Sequence, residues 1–130
     1  MAAAHELSAS LEDYLEAIYH LESEQRVARV RDIAERLGVQ MPSVTSALRA
    51  LAARGLVNHT RYSYVTLTSA GARIARDLVQ RHEVLTDFLS GFLGLEREAA
   101  ERNACAMEHA IEPVVLTRLV AYIEQERSKA

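Results

Sequence analysis

The chain has only five glycines, two prolines and one cysteine in 130 residues. It is poor in residues that punctuate loops or staple small folds. With 49% apolar residues beside so little Gly and Pro, a packed, mostly helical core is expected. A single cysteine cannot form an internal disulfide, so a reducing, cytoplasmic setting is expected. No apolar run reaches membrane-spanning length, and no membrane partner is expected. The opening MAAAHELSAS has no basic stretch ahead of an apolar core, which argues against a secretory leader. Internal repeats, linkers and low-complexity tracts are also lacking. The length suits one domain, or one compact domain with a helical extension.

Positive charge is missing from the start of the chain. Residues 1–25 hold six acids and no Lys or Arg, a net of −6. Residues 26–81 reverse this, with ten arginines against Asp32, Glu35 and Asp77, a net of +7. Residues 82–130 return to −4, leaving −3 for the whole. A basic block between acidic flanks fits a polyanion-binding segment joined to parts with another task. Charge alone leaves an unevenly charged, solvated surface equally open.

Periodicity supplies the order of elements. LSASLEDYLEAIYHLESE places Leu11, Tyr14, Leu15, Ile18, Tyr19 and Leu21 on one helical face, with Ser10 and Asp13 spaced as a capping box. ARVRDIAERLGV predicts a short helix that Gly38 stops, and Pro42 opens the next, PSVTSALRALAAR, which buries Val44, Ala47, Leu48 and Leu51. The β-rich segments Leu56–His59 and Tyr64–Thr68, with a polar tip at Thr60–Ser63, predict a short hairpin. A long helix capped by Ser69 should follow and end near Gly91–Gly94. A further helix runs from Leu95 through CAMEH, and a last one opens at Pro113, with Val114, Leu116, Leu119, Val120 and Ile123 as its apolar stripe. Helix, short helix, tight Gly turn, helix, hairpin is the order of a winged helix-turn-helix.

In that arrangement the helix from Pro42 would enter the major groove of double-stranded DNA. Its inward face is used up by apolar residues, leaving Ser43, Thr45, Ser46 and Arg49 outward and Gln40, Met41 and Pro42 at its entrance. Short hydroxyl side chains let a helix approach base edges. Gln40 suits an adenine, and Met41 or Pro42 suits a thymine methyl. Arg29, Arg31, Arg49, Arg54 and Arg61 are placed for phosphates. Any one of these residues taken alone is better explained as an ordinary surface residue; element order, basic block and small polar face together favour DNA.

CAMEH raises a second question. On a helix Cys105, Glu108 and His109 share one face. The first helix adds Asp13 and Glu16, three apart, and the long helix adds His82. Each has an ordinary alternative: a cap for Asp13, a solvated face for Glu16, a small buried side chain for Cys105.

Several collinear motifs now carry a resemblance. LEDYLEAIYHL, VRDIAERLGVQMPSVTSALRALAARGLV, LTSAGARIA, RHEVLTDFL and CAMEH together resemble the short, two-domain type of the diphtheria toxin repressor and manganese transport regulator family of metal-dependent transcriptional repressors. The resemblance implies a mainly α protein. A winged helix-turn-helix DNA-binding domain with a small β-hairpin wing would span residues 1–70, and a helical metal-binding and dimerisation domain residues 71–130. It also implies Asp13, Glu16, His82, Cys105, Glu108 and His109 as metal ligands. The manganese branch has a Glu where Cys105 stands. The iron branch has Cys-x-x-Glu-His, but carries Met in place of Asp13 and a carboxylate in place of Thr86. The set is therefore a hybrid. Carboxylates and imidazoles suit Mn²⁺ or Fe²⁺ as corepressor, and a thiolate adds affinity for Fe²⁺, Co²⁺ and Zn²⁺, so Zn²⁺ or Co²⁺ is expected to bind in vitro.

The function expected is repression of metal-homeostasis genes by a metal-loaded homodimer on a palindromic operator. The dimer surface is expected among Leu85, Phe88, Leu89, Phe92, Leu93 and the last helix, with some of these packing inside the protomer instead. A winged-helix factor without metal control, a small metalloenzyme and a helical interaction module are the competing readings. With no separate general base, nucleophile motif or Gly-rich phosphate loop, neither an enzyme nor a small organic substrate is expected.

Overall fold

The computed structural model describes residues 7–59 and 64–129. Its elements are α1 (Ala9–Gln25), β1 (Ala28–Arg29), α2 (Val30–Leu37), α3 (Met41–Ala53), β2 (Val57–His59), β3 (Tyr64–Leu67), α4 (Ser69–Asp87), a π-helical turn (Phe88–Phe92), α5 (Arg97–Ala110) and α6 (Pro113–Ser128). They form two compact units, the first ending at Asp77 and the second beginning at Leu78. Among the described residues no helix is long and apolar enough to cross a membrane.

The first unit is built around the faces that periodicity predicts. Leu15 and Ile18 of α1, Ile33 of α2, and Val44, Leu48 and Leu51 of α3 are fully buried with Val65 of β3. The α2–α3 turn works as expected of a glycine stop. Gly38 adopts φ 67°, and the Val39 N–H donates to the Ala34 carbonyl at 3.0 Å, satisfying an otherwise orphaned end of α2. The expected hairpin is one strand short of what forms. β1 pairs antiparallel with β3, placing Arg29 opposite Tyr64 and Ala28 opposite Val65, so the sheet has three strands in the order β1-β3-β2. A two-residue strand has no periodicity to betray it, and Ala28–Arg29 reads as the start of the following helix. The expected tip at 60–63 lies outside the described residues.

Two caps fall elsewhere than expected. Ser8, not Ser10, caps α1, its hydroxyl accepting the Leu11 N–H at 3.1 Å, so Asp13 has no part in a capping box. For α4 the cap is Thr68 rather than Ser69. Its hydroxyl accepts the Gly71 N–H at 3.1 Å and donates to the Gly55 carbonyl at 2.7 Å. Gly71 is required by proximity: a Cβ there would fall on the Leu56 carbonyl oxygen.

In the second unit Leu85, Leu89, Ala100, Ala104 and Leu116 form the core, with Phe88, Leu95, Met107, Leu119 and Val120 packed around it. The π-helical turn closes with a Leu93 N–H to Phe88 carbonyl bond of 3.2 Å, and Gly94, at φ 74°, lets the chain leave. Asp87 then ties three helices. Arg97 of α5 donates to its Oδ1 at 3.2 Å and Arg127 of α6 to its Oδ2 at 3.3 Å.

Candidate metal centre and nucleic-acid interface

In the first unit the inward face of α3 is consumed by the core, and Gln40 through Ser43, Ser46 and Arg49 are exposed. Met41 keeps 47% of its surface open at the helix entrance. Thr45 is half-buried and its hydroxyl donates to the Met41 carbonyl at 3.3 Å, which leaves only its lone pairs for a ligand. Arg29, Arg31 and Arg54 are exposed as well, while Arg61 lies outside the described residues. Sequence reasoning missed Tyr64. It is 42% exposed, with the Arg29 guanidinium 5.4 Å from its ring centre. Only the pairing register of β1 with β3 could have revealed this, because 35 positions separate the two residues in the chain. Asp13 and Glu16, one face apart by three residues on α1, are both half-buried.

The second unit carries four of the expected ligands. α4 supplies His82, and α5 supplies Cys105, Glu108 and His109 from adjacent turns. His82 Nδ1 lies 2.7 Å from Glu108 Oε1. The Glu108 side chain is completely shielded from solvent, that of His82 29% exposed, and Cys105 and His109 are half-buried. Thr86, one turn beyond His82, is fully buried and its hydroxyl donates to the His82 carbonyl at 2.7 Å, so it acts within its own helix.

A buried carboxylate is expensive unless both oxygens are satisfied. Glu108 meets this requirement only halfway: Oε2 is buried with no hydrogen-bond partner among the described residues. An oxygen of this kind, beside an imidazole and on a helix face shared with a thiol and a second imidazole, has the chemistry of a divalent-cation ligand. The residues present therefore fit a metal.

The residues expected at a dimer surface divide in two. Leu85 and Leu89 belong to the core of the second unit and Phe88 is partly buried against it, whereas Phe92 and Leu93 remain 44% and 58% exposed. A helical apolar stripe cannot distinguish these fates, since both sets are equally apolar and the π-helical turn shifts the phase between them.

Comparison with known proteins agrees with this division of labour. Residues 6–65 match the iron dependent repressor N-terminal DNA binding domain, and residues 68–128 match the iron dependent repressor metal binding and dimerisation domain. An uncharacterized HTH-type transcriptional regulator of Methanocaldococcus jannaschii is 34% identical over 124 residues, covering 95% of this chain and 99% of that protein. The HTH-type transcriptional regulator MntR of Bacillus subtilis is 37% identical over 123 residues, covering 92% of this chain and 86% of that protein. A solved manganese-dependent transcriptional repressor in complex with manganese superposes with a TM-score of 0.79 at 33% identity, over 88% of this chain and 52% of that one. The chain thus spans about half the length of the solved repressor's chain. Winged reading head, half-satisfied buried carboxylate and these matches lead to one conclusion: the chain belongs to the iron-dependent repressor family of metal-dependent transcriptional regulators.

Proposed function

We propose that this protein represses transcription of metal-homeostasis genes by binding a palindromic operator as a homodimer when Mn²⁺ or Fe²⁺ is bound. The observation that carries the metal half is Glu108, buried, bonded to His82 through one oxygen and unpartnered at the other. His82, Cys105, Glu108 and His109 are assigned as ligands from the second unit. Asp13 and Glu16 of α1 are assigned as the remaining carboxylates by the resemblance set out above, and the Ser8 cap removes the alternative role for Asp13.

A bound divalent cation would supply positive charge to the carboxylates assigned as its ligands. The chain's own residues do the rest. α1 packs directly on the reading head through Leu15 and Ile18, so a cation held by its carboxylates would bear on that helix. Metal occupancy is then felt by the DNA-binding unit only as far as the metal-competent and DNA-competent states coincide. On the DNA side, Arg29, Arg31, Arg49 and Arg61 hold phosphates, while Gln40, Met41, Pro42, Ser43, Thr45 and Ser46 face the bases. Phe92, Leu93 and α6 supply the dimer contact.

Anaerobic selection from a random duplex library, run with Mn²⁺, with Fe²⁺ and with chelator, tests the whole reading. Enrichment of a palindrome only with metal supports it. Equal enrichment in chelator overturns metal control, and no enrichment under any condition overturns the DNA assignment.

A further inference from the structure

We infer that Tyr64 is a positioning residue for the DNA-contacting arginine Arg29, holding its guanidinium ready for a backbone phosphate. The inference rests on the DNA-binding reading above and adds a residue and a mechanism to it. Arg29 and Tyr64 are direct cross-strand partners at the β1–β3 pairing. Their neighbours Ala28 and Val65, also paired, are fully buried, so strand alternation sends Arg29 and Tyr64 outward on the same face. There the guanidinium carbon sits 5.4 Å from the ring centre, within the range of a cation–π contact.

Two further observations separate this pair from surface decoration. Arg29 has no acidic partner among the described residues, unlike Arg36, Arg97 and Arg127, each of which is committed to a carboxylate. Its charge is therefore unspent. Tyr64, the first residue of β3, is 42% exposed, so its ring and the guanidinium over it are both open to a ligand from solvent. A ring against one face of a guanidinium leaves the in-plane N–H donors pointing away, in the fork that suits phosphate oxygens. It also confines a side chain whose rotamer freedom would otherwise be lost only on binding.

The test is a double-mutant cycle on DNA affinity, read by fluorescence anisotropy on the full chain. A random-sequence duplex pool at low salt with excess Mn²⁺ is the probe, because phosphate contacts do not depend on sequence. Arg29→Ala is expected to weaken binding and to flatten the salt dependence by about one unit of log–log slope. Tyr64→Ala should weaken binding about two- to five-fold while leaving that slope unchanged, since the arginine charge remains. Tyr64→Leu should behave like Tyr64→Ala and Tyr64→Phe like wild type, with helical circular dichroism and melting temperature confirming that all are folded. In the Arg29→Ala background, Tyr64→Ala should have no further effect.

Wild-type affinity in Tyr64→Ala and Tyr64→Leu, or full additivity with Arg29→Ala, overturns the inference and leaves the DNA reading standing. Failure of the wild type to bind the pool at all overturns the DNA reading and the inference together.

Discussion

His82 Nδ1 and Glu108 Oε1 lie 2.7 Å apart across 26 residues of chain, joining α4 to α5 at a point where the carboxylate has no access to solvent. The contact satisfies one oxygen and strands the other. That second oxygen is the one the proposed cation would satisfy.

Glu108→Gln keeps the shape and removes the charge. It is expected to lower Mn²⁺ affinity by at least ~100-fold, the upper range for disturbing groups around a metal. Stability without metal should change little, because the Gln amide oxygen can still accept a hydrogen bond from His82. In the wild type, Mn²⁺ at about 100 times its Kd should add about 2.7 kcal/mol of stability. A thermal melt with and without Mn²⁺ reads both effects, and an equal metal-induced shift in Glu108→Gln would remove Glu108 from the site.

Cys105→Glu exchanges a soft ligand for a hard one on the same helix face as Glu108 and His109. Competition titrations should show the ratio of Mn²⁺ to Co²⁺ affinity rising by about tenfold or more, because thiolate favours the later ions more strongly than carboxylate does. An unchanged ratio would mean that the thiol is not a ligand.

Arg49, exposed on the outer face of α3, carries charge into the proposed interface. Arg49→Ala should weaken metal-dependent DNA binding and reduce the salt slope by about one. Affinity and slope identical to wild type would take it out of the footprint.

Gly71→Ala forces a methyl group onto the Leu56 carbonyl oxygen. Backbone must move to admit it, so chemical denaturation should register a loss of about 1–3 kcal/mol, the usual range for overpacking. The substitution introduces no strain of its own in the backbone, because Gly71 is not among the positive-φ glycines. A stability equal to wild type would show that α4 can shift freely from Leu56.

Glu22 gives a pH signature. Burial raises its pKa above the ordinary carboxylate value, and a hydrogen bond from the Leu67 N–H lowers it in part. The folded state therefore holds this proton more tightly than the unfolded chain. Its contribution to stability grows as pH falls through the raised pKa and levels off below the unfolded one. Glu22→Gln, whose amide oxygen can still accept from Leu67, should raise the melting temperature at neutral pH, and the gain should vanish in acid. A gain that persists below the carboxylate range would have another origin.

Much of this was legible in the linear chain, for physical reasons that differ from one feature to the next. The inward faces of α1, α2 and α3 follow from apolar spacing, and Gly38 marks its own left-handed turn. Cys105, Glu108 and His109 declare a shared face because helical geometry is local. The pairing of His82 with Glu108 does not, since it depends on how two helices register. Cap positions were misread where two hydroxyl residues stand close together: Ser8 near Ser10, Thr68 beside Ser69. β1 is too short to have a period. Leu85 and Phe92 look alike in sequence, yet one fills the core and the other meets solvent.

The π-helical turn at Phe88–Phe92 explains that last difference and implies another. A turn closed from residue i to i+5 stores one residue more than an α-helix needs. Shortening the segment by one position, for example by deleting Gly91, would let α4 continue in phase and rotate Phe92 and Leu93 by about 100°. A single codon in this turn therefore sets the phase that leaves those two side chains exposed.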